Sequence, residues 1–283
     1  MKRLLPLLAA AAVGAGSLVA VTQVVDSPAR YLSGTVVIGI NGTLPGWSEP
    51  KDHPTGFDAA LATFLAEKYH FDISWYPLAP NERENALVDG VVDLVIANFS
   101  MSGESARNPG QQRDQTIDFA GPYFRDRSGV LVDSTKRAKV TGGKPGIPAE
   151  NLCVGSGTTG EENSNHQARR MPQAECFAAF SDVNTDTIGV MTDQGILTEY
   201  AAARSGGKVV PAFWEDDDHP INDKEFYGIG IPDGSTALCQ ELTRAINEFL
   251  TNGRWGSAFS THLTHLGEKD FHKPDESDPS RCV

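Results

Sequence analysis

The chain has 283 residues, enough for one large or two modest domains with substantial cores. Its composition is that of an ordinary globular protein, with 40% hydrophobic and 22% charged residues. A formal net charge of −13 repels phosphate backbones and argues against nucleic acid as a partner, while serving solubility.

At the N-terminus, Lys2 and Arg3 precede an uncharged run, residues 4–25, rich in Leu, Ala and Val. A basic start followed by an apolar run is the pattern of an export signal. Two readings stay open for residues 1–30. Ser27 and Ala29 offer only a mediocre cleavage site for a signal peptide. The run is also about long enough to cross a bilayer as an uncleaved anchor, which takes ~20 residues. No cysteine lies nearby to carry a lipid. The chain is therefore expected to be extracellular or at the cell surface, touching membrane through this segment alone. The mass of the native N-terminus separates the released from the tethered form.

Beyond the leader, residues 35–40 are almost wholly β-branched and read as a short buried strand, ended by Asn41-Gly42. Phe57, Leu61, Phe64, Leu65 and Tyr69 recur at helical spacing, with Gly56 ahead of them and Asp58 in the first turn. Residues 71–78 read as a strand. Asn81 and Glu84 have capping-box spacing and open a short helix through Leu87, and residues 91–97 read as a third strand. The order β-α-β-α-β is that of a parallel α/β sheet.

A basic, Gly/Pro-rich loop at 136–148 leads into a second series. It has a strand at 152–154, a turn at 155–159 and a helix at 161–169. Strands follow at 176–180 and 188–192, then a helix at 194–203 and a strand at 209–213. Residues 226–231 form a last strand before an amphipathic helix carrying Leu238, Leu242, Ala245, Ile246 and Phe249, with Gly253 as its C-terminal glycine. Two βα series imply two lobes of an α/β protein, with no evident internal sequence repeat.

Parallel sheets bind ligands beyond the carboxyl ends of their strands. Those ends carry Asn41, then Asn98, Ser100 and Ser102, then Gly155 to Thr159, and finally Asp193. Hydroxyls, amides, a glycine turn and one carboxylate suit a zwitterion. No Ser/His/Asp or Cys/His arrangement is present for catalysis, and the 155–159 turn lacks the lysine of a phosphate loop. The 215–218 acidic run has no calcium-loop spacing, and His262 and His265 have no third ligand in sequence reach. No metal or cofactor is expected. Cys153, Cys176, Cys239 and Cys282 favour disulfides in an exported chain, with three possible pairings.

At these residues the chain resembles the extracellular solute-binding proteins of polar amino-acid ABC importers, family 3, which have the type II periplasmic-binding fold. Gly56-Phe57-Asp58 is similar to the family's helix start. Residues 92–97 with Ser100 to Ser102 are similar to its "VDLVIA" strand and following turn. Ile117 to Phe119 with Pro122 to Phe124, residues 154–159, Thr192-Asp193 and Tyr227 to Ile229 complete six motifs in family order, from about residue 35 to about 263.

The resemblance implies two lobes joined by two crossing strands, 34–128 plus 227–266 and 129–226, with 267–283 as a C-terminal tail. It implies a monomer that captures a polar or acidic amino acid and delivers it to an ABC permease, without turnover. Asp193 would hold the ligand's ammonium. An arginine, the Ser100 hydroxyl and the backbone near Asn98 would hold its carboxylate, and Thr158, Thr159 and Gly155 would contribute from the second lobe. Asn41 and Trp47 lie in the loop that reads the rest of the ligand, where Trp47 either stacks on the ligand or covers the lobe.

The family's arginine position is occupied by Ser105. Counting back from Asp118-Phe119 places Arg113 at the family spacing, with residues 105–112 as an insertion, and Arg107 is the other candidate. Residues 186–192 also depart from the family pattern, with Ile188-Gly189 where Asp-Ala would stand. On this fold the expected pairings are Cys153 with Cys176, on neighbouring strands, and Cys239 with Cys282, tying down the tail. Rival readings are an anchored amino-acid sensor without transport and a dehydratase-like enzyme, which would need a general acid in the cleft.

Overall fold

The apolar segments fall into the two expected series. The first runs β1 (Thr35–Ile40), α1 (Phe57–Tyr69), β2 (Asp72–Pro77), α2 (Arg83–Val88), β3 (Leu94–Val95) and β4 (Asp118–Asp126). The second runs β5 (Ser128–Asp133), β6 (Leu152–Gly155), α3 (Thr159–Asn163), β7 (Arg169–Met171), α4 (Gln173–Ser181), β8 (Gly189–Asp193), α5 (Gln194–Ser205) and β9 (Val209–Ala212). The chain then returns through β10 (Glu225–Ile231) to α6 (Thr236–Thr251), α7 (Arg254–His262) and α8 (Lys269–His272). This computed structural model describes residues 27–49, 53–133, 147–164, 168–205, 209–212, 224–278 and 282. The 4–25 run, most of the 136–148 loop, Phe213 and the 215–218 acidic run lie outside the described residues.

Two five-stranded sheets share one plan. The first has the order β2-β1-β3-β10-β4, the second β7-β6-β8-β5-β9. In each, three strands are parallel and the fourth is antiparallel to its neighbours. That fourth strand arrives from the other half of the chain. β5 follows β4 after the single residue Arg127, and β10 comes back into the first sheet. The α/β architecture is thus as expected, with helices flanking two mainly parallel sheets.

Several elements differ from the sequence reading, each for a local reason. Only Leu94–Val95 of the 91–97 segment pairs as a strand, because the Val91 and Val92 amides donate back to the Ala86 carbonyl and close α2. The capping role belongs to Glu82, whose carboxylate accepts the Ala79 amide at 2.7 Å, and not to Glu84. The helix expected at 161–169 is α3, which ends at Asn163, since residues 169–171 pair beside β6. Residues 176–180 are helical. Gln173, Cys176, Phe177 and Phe180 are buried at the i, i+3, i+4, i+7 spacing of one helix face, which a short apolar run does not distinguish from a strand.

The core is centred on Trp47, 0% exposed, with ring centroids of Phe57, Phe124 and Tyr227 at 5.7, 4.7 and 5.7 Å. Gly56 allows this packing: at φ 130° it approaches the Trp47 carbonyl so closely that a Cβ would sit 2.3 Å from the oxygen. The α6 face expected to be apolar is buried, and Gly253, φ 89°, follows the Asn252 C-cap of the helix.

Two disulfides form, Cys153–Cys176 between β6 and α4 and Cys239–Cys282 between α6 and the tail. The expected pairing holds, with Cys176 on a helix instead of a strand. The tail lies along the β4–β5 junction. Arg125 donates to the Phe271 carbonyl and pairs with Asp278 at 3.2 Å, and Arg127 pairs with Glu268. His272 is buried against Phe124 and donates from Nδ1 to the Arg125 carbonyl at 2.8 Å, burial lowering its pKa to about 4. Replacing Cys239 and Cys282 by Ser is expected to lower the unfolding free energy by about 2–4 kcal/mol in urea titrations and to expose the tail to proteolysis. A tail as resistant as in the wild type would contradict the strapping role.

Candidate functional site

The carboxyl ends of β1, β3, β6 and β8 converge on a narrow cleft between the two sheets. Its walls include Arg83, Asn98, Ser100 and Arg113 from the first side and Thr158, Thr159, Gln173 and Asp193 from the second. The walls touch. Asn41 Nδ2 donates to Gln173 Oε1 at 3.1 Å, and the Glu104 amide donates to Glu162 Oε1 at 2.7 Å. Gly157, φ 75°, packs against Asn81 so that a Cβ would lie 2.7 Å from the Asn81 Cα. The cleft is closed.

Two arginines line it. Arg113, 2% exposed, starts the 3₁₀ turn Arg113–Gln115. Residues 105–112 fold back on themselves: Glu104 bridges Gln112, and the Ser105 amide donates to the Gln111 carbonyl at 2.9 Å. The insertion therefore returns Arg113 to a position beside Gly103, whose carbonyl accepts its amide. The guanidinium donates to the carbonyls of Ser100, Ser102 and Glu104 and lies 3.6 Å from Glu84. Arg107 is not in the cleft. It donates to Asn85 and pairs with Asp89 at 3.2 Å on the partly exposed outer side of α2, so the alternative clamp is excluded by geometry.

Arg83 is a cleft residue that the sequence reading missed. It is 5% exposed and donates once, to the Asn98 carbonyl at 3.4 Å, while its Nε has no partner. Burial, then the neighbouring Arg113, lowers its pKa to about 10. Both guanidinium groups stand over the Phe99 ring, at 5.3 and 5.2 Å from its centroid. A cation in the first turn of α2 opposes the helix dipole, and that mismatch was the available sequence signal. Asn98, φ 49°, presents a buried side-chain amide with both polar atoms unpartnered.

A carboxyl lines the same cleft. Asp193 closes β8 and is 4% exposed. Its Oδ2 accepts the Tyr227 hydroxyl at 2.6 Å, and its Oδ1 has no donor. Capping of α5 falls instead to Asp126, which accepts the Gly195 amide at 3.0 Å. Ser100 donates its hydroxyl to Glu225, so it is not free to donate to a carboxylate in this conformation. Thr158 donates to the Gly155 carbonyl at 2.7 Å. Trp47 lies wholly in the aromatic core and does not line the cleft, which removes its stacking role. Gln173 was missed because its segment read as an approach to a strand.

Three buried carboxyls are displaced upward, each first by burial. Asp58, which accepts the Tyr123 hydroxyl at 2.9 Å, rises to about 7, as does Asp126. Asp193 rises well above the usual range, burial being reinforced by Glu225 and Asp126. Each folded-state pKa exceeds its unfolded value. The associated stability is therefore fully present below the ordinary carboxylate pKa of ~4 and is lost as pH climbs through about 7. The melting temperature of the empty protein is expected to fall between pH 5 and pH 8. Asp58→Asn keeps the acceptor for Tyr123 and should flatten that fall by up to ~1.4 kcal/mol per pH unit. An unchanged slope would refute the assignment.

The chain is 29% identical over 260 residues to the glutamate-binding protein GluB of Corynebacterium efficiens, covering 83% of this chain and 80% of that one. It is 23% identical over 219 residues to the ABC transporter glutamine-binding protein GlnH of Bacillus subtilis, covering 72% and 71%. Its fold matches the cysteine-binding protein of Campylobacter jejuni with a TM-score of 0.68 at 19% identity, covering 85% and 95%. The family model matches residues 36–265, and the chain belongs to the bacterial extracellular solute-binding proteins, family 3.

Proposed function

We propose that this chain is an exported receptor that closes on a polar or acidic amino acid of the glutamate, glutamine and aspartate class and delivers it to an ABC permease. The observation that carries the reading is the set of charges that line the closed cleft. Arg113 and Arg83 line it together with Asp193, which has an unpartnered buried oxygen. An amino acid's carboxylate and ammonium complement those two kinds of charge. The second guanidinium, with a free Nε, fits a further anionic or carbonyl group on the ligand side chain. Asn98, Thr158 and Thr159 supply polar contacts, with Gly155 keeping the second wall close and Asn41 acting through Gln173.

In this reading the two sheets are the cores of two lobes, residues 34–128 with 227–266 and 129–226. They open and close by a hinge at the crossing strands, and the receptor acts as a monomer. The relatives named above as glutamate- and glutamine-binding proteins support this ligand class.

A dehydratase-like activity is the second reading, favoured by one observation: Asp193 lines the cleft as a carboxyl whose pKa burial raises well above the usual range. It predicts that a ligand is consumed on incubation, whereas a receptor returns it unchanged.

A thermal-shift screen of the purified chain against the twenty amino acids is expected to show stabilisation by one or two polar or acidic members, since a ligand that binds only the folded state raises the melting temperature. Asp193→Ala should weaken that ligand by at least ~30-fold, about 2 kcal/mol, with the fold retained by circular dichroism. Absence of any shift, or unchanged affinity in the variant, would overturn the reading.

A further inference from the structure

Glu162 stands on α3, on the second side of the cleft, and reaches across to the first. Its Oε1 accepts the Glu104 amide at 2.7 Å. The approach is so close that it takes a glycine beside it. Gly103 has φ 116°, and a Cβ there would lie 2.7 Å from the same Glu162 oxygen. Glu162 is not among the residues that line the cleft.

The peptide between Gly103 and Glu104 is held at both of its polar groups. Its N–H goes to Glu162, and its carbonyl accepts the Arg113 amide at 2.9 Å. The Arg113 guanidinium donates to the carbonyls of Ser100, Ser102 and Glu104, on either side of that peptide. The segment that seats the arginine is therefore the segment that Glu162 grips, and a hydrogen-bond chain runs from Arg113 through one peptide to the opposite wall.

α3 gives that grip a rigid base. Gly160 lies so close to β8 that a Cβ would sit 2.6 Å from the Met191 carbonyl oxygen, and the Gly157 amide donates to Glu161 Oε2 at 3.0 Å. Beside the grip the walls part. Ser105, Ala106 and Pro109 on one side and Thr158 and Glu161 on the other line a hollow of about 290 Å³. Where the insertion stands off the second wall in this way, one side chain that spans the gap has a large share in keeping it shut.

We propose that Glu162 is a latch between the lobes, a positioning residue that holds the cleft closed and steadies Arg113 through the Gly103–Glu104 peptide without touching the ligand. The proposal rests on the amino-acid-receptor reading above, in which the two walls belong to lobes that separate on opening. Separation breaks the bond from Glu104 to Glu162, so the latch favours the closed form alone. A ligand meets the open form, and its entry does not depend on the latch. Its escape requires opening, and does.

The test is surface plasmon resonance of the purified chain with L-glutamate and L-glutamine, wild type beside Glu162→Ala, Glu162→Asp and Glu162→Gln. The dissociation rate is expected to rise about tenfold in Glu162→Ala and in Glu162→Asp, whose side chain is one methylene short of the amide. The association rate should stay within about twofold. Glu162→Gln keeps an acceptor oxygen at full reach and should release its ligand within about threefold of the wild-type rate. A merely structural role would lower the melting temperature of the ligand-free chain without separating the two rates or sparing the Gln variant.

A Glu162→Ala variant that releases its ligand as slowly as the wild type, or loses affinity through association alone, overturns the proposal and leaves the receptor reading standing. A wild type that retains neither amino acid overturns the receptor reading beneath it. Should Glu162→Ala fail to fold, the Asp and Gln variants decide the matter, and equal release rates in these two overturn the latch.

Discussion

The carboxylate of Asp126 sits where the chain passes from the first sheet to the second, and the geometry around the cleft is organised by what it accepts. It takes the Arg127 amide at 2.9 Å, the Gly195 amide at 3.0 Å and the Tyr227 hydroxyl at 3.1 Å. The first fixes the one-residue crossing, and the second satisfies the start of α5 from outside that helix. The third holds the returning strand, whose Glu225 lies opposite Asp126 in register. Because Asp126 caps α5, Asp193 is released from the capping role that its place before Gln194 would otherwise give it. Its side chain turns to the cleft instead.

The layers around the crossing keep these groups dry. Trp47, Phe124 and Tyr227 pack edge to face and in parallel on one side. On the other, α8 and Asp278 cover Arg125, with the end of the tail pinned to α6 by Cys239–Cys282. His272 can occupy this region because it is neutral there and gives its Nδ1–H to a backbone carbonyl. Burial of this completeness is what lifts the three carboxyl pKa values, and it also makes an unpartnered oxygen costly enough to be informative.

Much of this was legible in the chain. β1, α1, α6 and the return strand follow from period-two and period-3.6 patterns longer than one turn, and the four polar strand ends did converge. Where the reading slipped, the segment was short or its partners were distant. Residues 176–180 are apolar enough for either state, and only burial of Gln173 on the same face shows the helix. Arg113 was found by counting across an insertion. Glu225 was legible only as a charge heading an apolar strand, and its partner, the Ser100 hydroxyl, lies 125 residues away in the chain. No sequence repeat relates the halves, yet the two sheets have the same strand plan. Each receives its fourth strand from the other half, a long-range pairing that periodicity does not record.

The fold of residues 105–112 explains how Arg113 comes to line the cleft. Its Ser105 hydroxyl and Ala106 amide both donate to Glu84, holding that carboxylate in place. Glu84 in turn stands 3.6 Å from the Arg113 Nε and gives a buried guanidinium its counter-charge. Arg113 is thereby paired with a fixed side chain, while the Nε of Arg83 beside it has no partner. Asp193 has no cationic partner among the described residues; its Oδ2 accepts the Tyr227 hydroxyl, and burial raises its pKa well above the usual carboxylate range. The charges that line one cleft are therefore held in different ways, the Arg113 guanidinium by a fixed counter-charge and backbone carbonyls, the acid by a single phenol.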